Sequence, residues 1–183
     1  MASAVAVLWL AVTVTASSGT VADAARLRAE GATARLAEAT TDNAVAEAAK
    51  AGDAATVKAL LKQGVDVNAA QGDGMTALHW AATNGDVAMT QMLLSAGANV
   101  RATTRLGGIT ALHLATQAGQ AQVAAALIAS GAEPNLATAT GATPLMLAAR
   151  SGNTETVTRL VEVGADINAK EKTYGQTAWW RTR

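Results

Sequence analysis

The sequence holds no cysteine and no phenylalanine, and only two prolines and two histidines among its 183 residues. Without cysteine there is no disulfide framework, no thiolate metal ligand and no thiol nucleophile. Aromatic residues make up 3%, so the core must be assembled from Ala, Leu, Val and Ile. Such small side chains let short helices approach closely, as stacked helices do. No sign of charge predominates either, because 14 Lys and Arg balance 14 Asp and Glu. The basic excess of a nucleic-acid-binding surface is therefore lacking. Charged residues stand at 15% against 50% hydrophobic, which is the reverse of a disordered composition. The length suits one ordinary domain with a core of its own.

Residues 1–22 carry no charge, and Ala4 to Val12 form an apolar run containing Leu8, Trp9 and Leu10. Val14-Thr15-Ala16 and Thr20-Val21-Ala22 then place small residues where a signal peptidase requires them. The pattern is that of an export signal, and export to a periplasm or beyond is the expectation. The run is too short and too rich in Thr and Ser for a membrane span of about 20 residues. No Lys or Arg precedes it, the nearest being Arg26 and Arg28. A start codon placed too late would explain this, and an uncleaved, buried N-terminal helix, which would leave the chain in the cytoplasm, is a further reading. Residues 23–40 are Ala-rich with scattered charge, and serve either as a linker or as a first helix broken at Gly31.

What fills the rest is a repeat. Gly74-Met75-Thr76-Ala77-Leu78-His79-Trp80-Ala81-Ala82 returns as Gly108-Ile109-Thr110-Ala111-Leu112-His113-Leu114-Ala115, and then as Gly141-Ala142-Thr143-Pro144-Leu145-Met146-Leu147-Ala148-Ala149. It begins once more at Gly175-Gln176-Thr177-Ala178. The threonines are 34, 33 and 34 residues apart. Gly52, Gly85, Gly119 and Gly152 keep the same period, as do Gly64, Gly97, Gly131 and Gly164. Three independent markers on one period define a repeat array.

Each unit reads as two short helices. Thr76, Thr110 and Thr143 are N-caps for the first helix, and Pro144 sits where its missing N–H costs nothing. The first helix ends at a glycine able to take the left-handed conformation. The second helix carries Val57, Leu60 and Leu61; Met92, Leu93 and Leu94; Val123, Leu127 and Ile128; or Val157, Leu160 and Val161. The link to the next threonine, such as Asp66 to Met75, is turn-rich and predicts a projecting hairpin.

These residues resemble the ankyrin repeat, whose pattern runs Gly-x-Thr-Pro-Leu-His-x-Ala-Ala, then Gly, a Leu-Leu helix, and Gly-Ala-Asp-Val-Asn. The resemblance spans about residues 43–180. It implies an all-α repeat solenoid of stacked helix-turn-helix units with projecting β-hairpin loops. A cap unit over 43–72 lacks the Thr-Pro-Leu-His opening; repeats follow at about 73–106, 107–139 and 140–173, and a shortened one over 174–183. Gln71 to Trp80 and Lys172 to Ala178 are similar to exported bacterial members of the family.

Chemistry finds little support in these residues. His79 and His113 occupy equivalent positions and are too few for a zinc site; the resemblance implies a structural role for them, bonding within and between hairpins. Gly72-Asp73-Gly74-Met75-Thr76-Ala77 formally fits a dinucleotide fingerprint, yet no acidic residue follows about 20 positions later. Position 96 is Ala, between Ser95 and Gly97. No cofactor, metal or catalytic residue is expected, and the chain is read as a non-enzymatic monomer.

The family's use of the fold implies a protein partner, held on a concave groove lined by hairpin tips and first helices. By repeat position the groove residues are Asp73, Met75 and Asn84, then Arg105, Ile109 and Gln117. Thr140, Ala142 and Arg150 come next, followed by Lys172, Tyr174 and Gln176. Arg105, Arg150, Lys172 and Tyr174 are the expected anchors, since Arg and Tyr often dominate interfaces. Their charge suits an acidic partner segment. The brief final unit leaves a second reading, a repeat module of a larger enzyme or receptor, and a third is a spacer with no partner.

Overall fold

The computed structural model describes residues 43–172. The apolar opening segment, the Ala-rich stretch 23–40, the candidates Tyr174 and Gln176 and the rest of the shortened repeat over 174–183 lie outside the described residues. Eight helices are present among those described, in four consecutive pairs. They are α1 (Ala44–Lys50) with α2 (Ala54–Lys62), α3 (Ala77–Asn84) with α4 (Val87–Ser95), α5 (Ala111–Gln117) with α6 (Ala121–Ala129), and α7 (Pro144–Ser151) with α8 (Thr154–Glu162).

The first helices α1, α3, α5 and α7 stack in one row, and α4, α6 and α8 stack in a second. The first row is the tighter one, and its composition explains why. Ala77, Ala81, Ala82, Ala111, Ala115 and Ala148 are buried there, and their methyl groups let neighbouring helices come close. Leu78, Leu112 and Leu145 fill the space between the rows from one side. Leu93, Leu127 and Leu160 fill it from the other, with Met89 and Val123 beside them. Ile128 packs on both the large cluster that starts at Val45 and the smaller one around Leu145 and Leu160. The core is thus a ribbon running along the stack, each unit burying its apolar face on its neighbours.

The helix ends follow the sequence signals. Thr110 Oγ1 accepts from the N–H of His113, and Thr143 Oγ1 from that of Met146. Three of the four second helices are capped by an acid or amide side chain: Asp53 accepts from Thr56 N–H, Asp86 from Met89 N–H and Asn153 from Thr156 N–H, whereas Gln120 before α6 makes no such bond. Such a cap stabilises by about 1 kcal/mol. Gly85 and Gly152 close α3 and α7 at φ of 73°, a conformation that any side chain would strain.

The units are also clasped across their loops. Asn68 Nδ2 donates to the Gly97 carbonyl at 3.2 Å while its Oδ1 accepts from Asn99 N–H at 2.6 Å. Asn135 repeats the arrangement on Gly164 and Asp166, at 3.1 Å and 2.7 Å. At the junction between them the equivalent residue is Arg101, and it makes an ion pair with Glu133 at 3.2 Å. The first unit has a clasp of its own. Trp80 Nε1 donates to Gln71 Oε1, Gln71 Nε2 donates to Glu47 Oε1, and the Lys50 ammonium lies 5.1 Å from the Trp80 ring centre.

Candidate partner-binding surface

The surface begins at the two histidines, because they fix the hairpins that carry it. His79 is 1% exposed and His113 is fully buried. His79 Nδ1 accepts from Thr76 N–H at 3.2 Å, so the proton sits on Nε2, which donates to the Ile109 carbonyl at 3.1 Å. One imidazole therefore closes its own cap and reaches the next unit's hairpin. His113 makes the same cap, with Nδ1 accepting from Thr110 N–H at 3.2 Å, but its buried Nε2 has no hydrogen-bond partner. Burial pushes both imidazoles below their ordinary value of 6.5. Nearby backbone opposes this in part, from Ile109 and Ala102 at His79 and from Leu136 and Ala142 at His113. Both rings are buried, and Nδ1 of each is committed to its own helix cap.

Each hairpin folds back through a backbone bond: Gln71 N–H to the Met75 carbonyl, Thr104 N–H to that of Ile109, and Thr138 N–H to that of Ala142. No strand forms among the described residues. Successive hairpins are then joined by rungs. Arg105 N–H donates to the Asp73 carbonyl at 2.9 Å, Ala139 N–H to that of Gly107 at 2.8 Å, and Lys172 N–H to that of Thr140 at 3.2 Å. Two glycines make this approach possible. A Cβ on Gly74 would stand 2.6 Å from Arg105 N, and one on Gly141 would stand 2.7 Å from Lys172 N. The stems of Arg105 and Lys172 consequently rest on the preceding hairpin.

A threonine-capped, glycine-ended helix pair with rung-linked hairpins is a repeat geometry, and the family models match it. Residues 45–94 match a model of ankyrin repeats in many copies, and residues 97–171 match a model of ankyrin repeats in three copies. The chain belongs to the ankyrin repeat family. No curated protein matches it.

On this ankyrin stack the sequence candidates fall into two bands. Asp73, Arg105, Thr140 and Lys172 are exposed at the hairpin tips, with Met75, Ile109 and Ala142 half-buried behind them. Asn84, Gln117 and Arg150 are exposed at the ends of the first helices. The tips are one connected structure, since the rungs join them. Asn84 is less available than its exposure implies, because its Nδ2 donates to the Ala49 carbonyl at 3.1 Å. Asp73 is also occupied, accepting from Met75 N–H at 2.8 Å.

One exposed residue escaped the sequence reading. Leu106, between Arg105 and Gly107, is 78% exposed, more than any other large hydrophobic residue described. Its signal is a spacing. Gly97 and Thr110 are 13 residues apart, whereas Gly64 and Thr76, and Gly131 and Thr143, are 12 apart.

Proposed function

We propose that this ankyrin chain is a non-enzymatic scaffold that holds a partner protein on the surface formed by its hairpin tips and first helices. Ankyrin repeats are generally protein–protein interaction modules, and the reading extends that role to named positions. The observation that carries it is the rung-linked row of hairpins. It presents Arg105, Thr140 and Lys172 on a backbone held by hydrogen bonds from unit to unit. A surface ordered before the encounter loses little conformational entropy on binding. Export supplies the setting, with the uncharged stretch before Asp23 acting as the signal.

The test is a pulldown from the source cells with the full chain as bait. It is run beside a bait carrying Arg105→Glu, Arg150→Glu and Lys172→Glu, and a control carrying Lys58→Glu and Lys62→Glu on α2. A protein kept by the first and third baits and lost by the second supports the reading. A protein kept equally by all three contradicts it. The N-terminal sequence of the mature chain, read by mass spectrometry, tests export: retention of Met1 to Ala22 would oppose it.

A further inference from the structure

The third unit's hairpin is one residue longer than its neighbours. Gln71 and Thr138 each donate to the carbonyl four positions on, at Met75 and Ala142, but Thr104 donates five positions on, to Ile109. The rungs locate the surplus residue. In the fourth unit the rung donor Ala139 is followed at once by the rung acceptor Thr140. In the third, Leu106 stands between the donor Arg105 and the acceptor Gly107. Both flanks are tied to other units, so the surplus cannot be absorbed by a shift of register, and it bulges outward. The bulge is itself built. Thr104 Oγ1 donates to the Leu106 carbonyl at 2.8 Å and accepts from Ile109 N–H at 3.1 Å. Gly107 and Gly108 follow with φ of 87° and 60°, consecutive values that side chains would resist.

We propose that Leu106 is an apolar anchor for an acidic, aliphatic segment of the partner protein. The inference rests on the concave-face reading and adds the partner's chemistry to it. A leucine on a braced loop offers apolar contact that is desolvated only when something covers it. Ile109, half-buried in the same hairpin, packs against Gly107 next to the leucine. Charge decides what surrounds the apolar part. Arg105 adjoins the leucine, Lys172 lies on the hairpin beyond Thr140, and neither has an ion-pair partner among the described residues. Of the acids nearby, Asp73 accepts from Met75 N–H of its own loop, and Glu171, half-buried, stands between Lys170 and Lys172. A polyphosphate would satisfy the cations but leave Leu106 and Ile109 in water, so a carboxylate-bearing peptide with Leu, Ile or Val fits better.

The probe is a library of randomised twelve-residue peptides on phage, selected on the immobilised full chain. Enriched peptides are synthesised, and their affinities are measured by fluorescence anisotropy. The targets are the natural chain, Leu106→Ser, a chain with Leu106 deleted, and Gln117→Arg combined with Arg150→Glu. Thermal unfolding confirms that each variant is folded, and the deletion restores the loop length of the neighbouring units. The expected peptides combine Asp or Glu with Leu, Ile or Val, and bind about tenfold or more weakly to both Leu106 variants, as at an interface hot spot. Peptides lacking acids, or unaffected by both Leu106 changes, overturn the proposal. If such peptides still lose affinity for the Gln117→Arg, Arg150→Glu chain, the concave-face reading survives alone. Failure of every variant to alter binding, or enrichment of no peptide, removes both. Tighter binding of a single-stranded oligonucleotide than of any peptide also overturns the proposal.

Discussion

Arg101 Nη1 lies 3.2 Å from Glu133 Oε1 at the junction where the repeat position of Asn68 and Asn135 holds an arginine. The asparagines satisfy two backbone groups of the following unit, whereas the arginine forms a single ion pair with both side chains about half exposed or more. An exposed pair contributes about 0–1 kcal/mol after solvent screening. Arg101→Asn would place an amide within reach of the Gly131 carbonyl and the Glu133 N–H. It is expected to stabilise the chain by about 1 kcal/mol, a shift of a few degrees in the melting temperature. Calorimetry checks this, and an unchanged or lower melting temperature would count against the clasp.

His79 and His113 make the same cap, but only His79 bonds across to the next hairpin. His79→Ala removes one of the two hydrogen bonds on the Ile109 carbonyl, leaving that from Thr104 N–H, as well as emptying a core site. It should therefore lower stability more than His113→Ala, by about 1 kcal/mol. Urea unfolding of the two variants measures the difference, and equal losses would deny the cross-unit bond its role.

Acid should weaken the fold through these same rings. Both have pKa values depressed by burial below 6.5, so the unfolded chain takes up protons first as pH falls. Their contribution is fully present above pH 6.5 and is lost as pH drops below it toward the folded values. Urea midpoints taken between about pH 7.5 and about pH 5 should fall for the natural chain. The decline should be shallower for His79→Gln with His113→Gln, and parallel profiles would refute the assignment.

Gly74 and Gly64 separate backbone conformation from close approach. Both have positive φ, of 87° and 78°, but a Cβ on Gly74 meets Arg105 N at 2.6 Å while one on Gly64 meets nothing within 4 Å. Gly64→Ala should cost about 1 kcal/mol, from the left-handed conformation alone. Gly74→Ala must also push two hairpins apart, so its loss of stability should be clearly larger. It should also speed amide exchange at Arg105, measured by NMR. Equal costs would mean that the rung does not matter.

The repeat was legible because its markers report on backbone conformation. Thr110 and Thr143 cap helices, and Gly85 and Gly152 end them in the left-handed region, as their residue types require. The candidate surface was legible only as positions. Asn84 looked available at the end of α3, but its amide is spent on Ala49, a contact that depends on how close the first helices come. Leu106 was hidden for a related reason. The spacing of 34 between Thr76 and Thr110 is one longer than that between Thr110 and Thr143, but the rungs to Asp73 and Ala139 decide which residue is expelled. Such bonds join residues about one repeat apart, and no local pattern encodes them.

The central claim is that a partner protein sits on the hairpin tips and first helices. Its most direct test takes the protein retained in the pulldown, purifies it, and measures its Kd for three full-length chains by calorimetry. These are the natural chain, the variant with Arg105→Glu, Arg150→Glu and Lys172→Glu, and the variant with Lys58→Glu and Lys62→Glu. The account predicts weakening of about tenfold or more in the second chain alone. An unchanged Kd in the second chain, or a loss confined to the third, would place the partner elsewhere and contradict it.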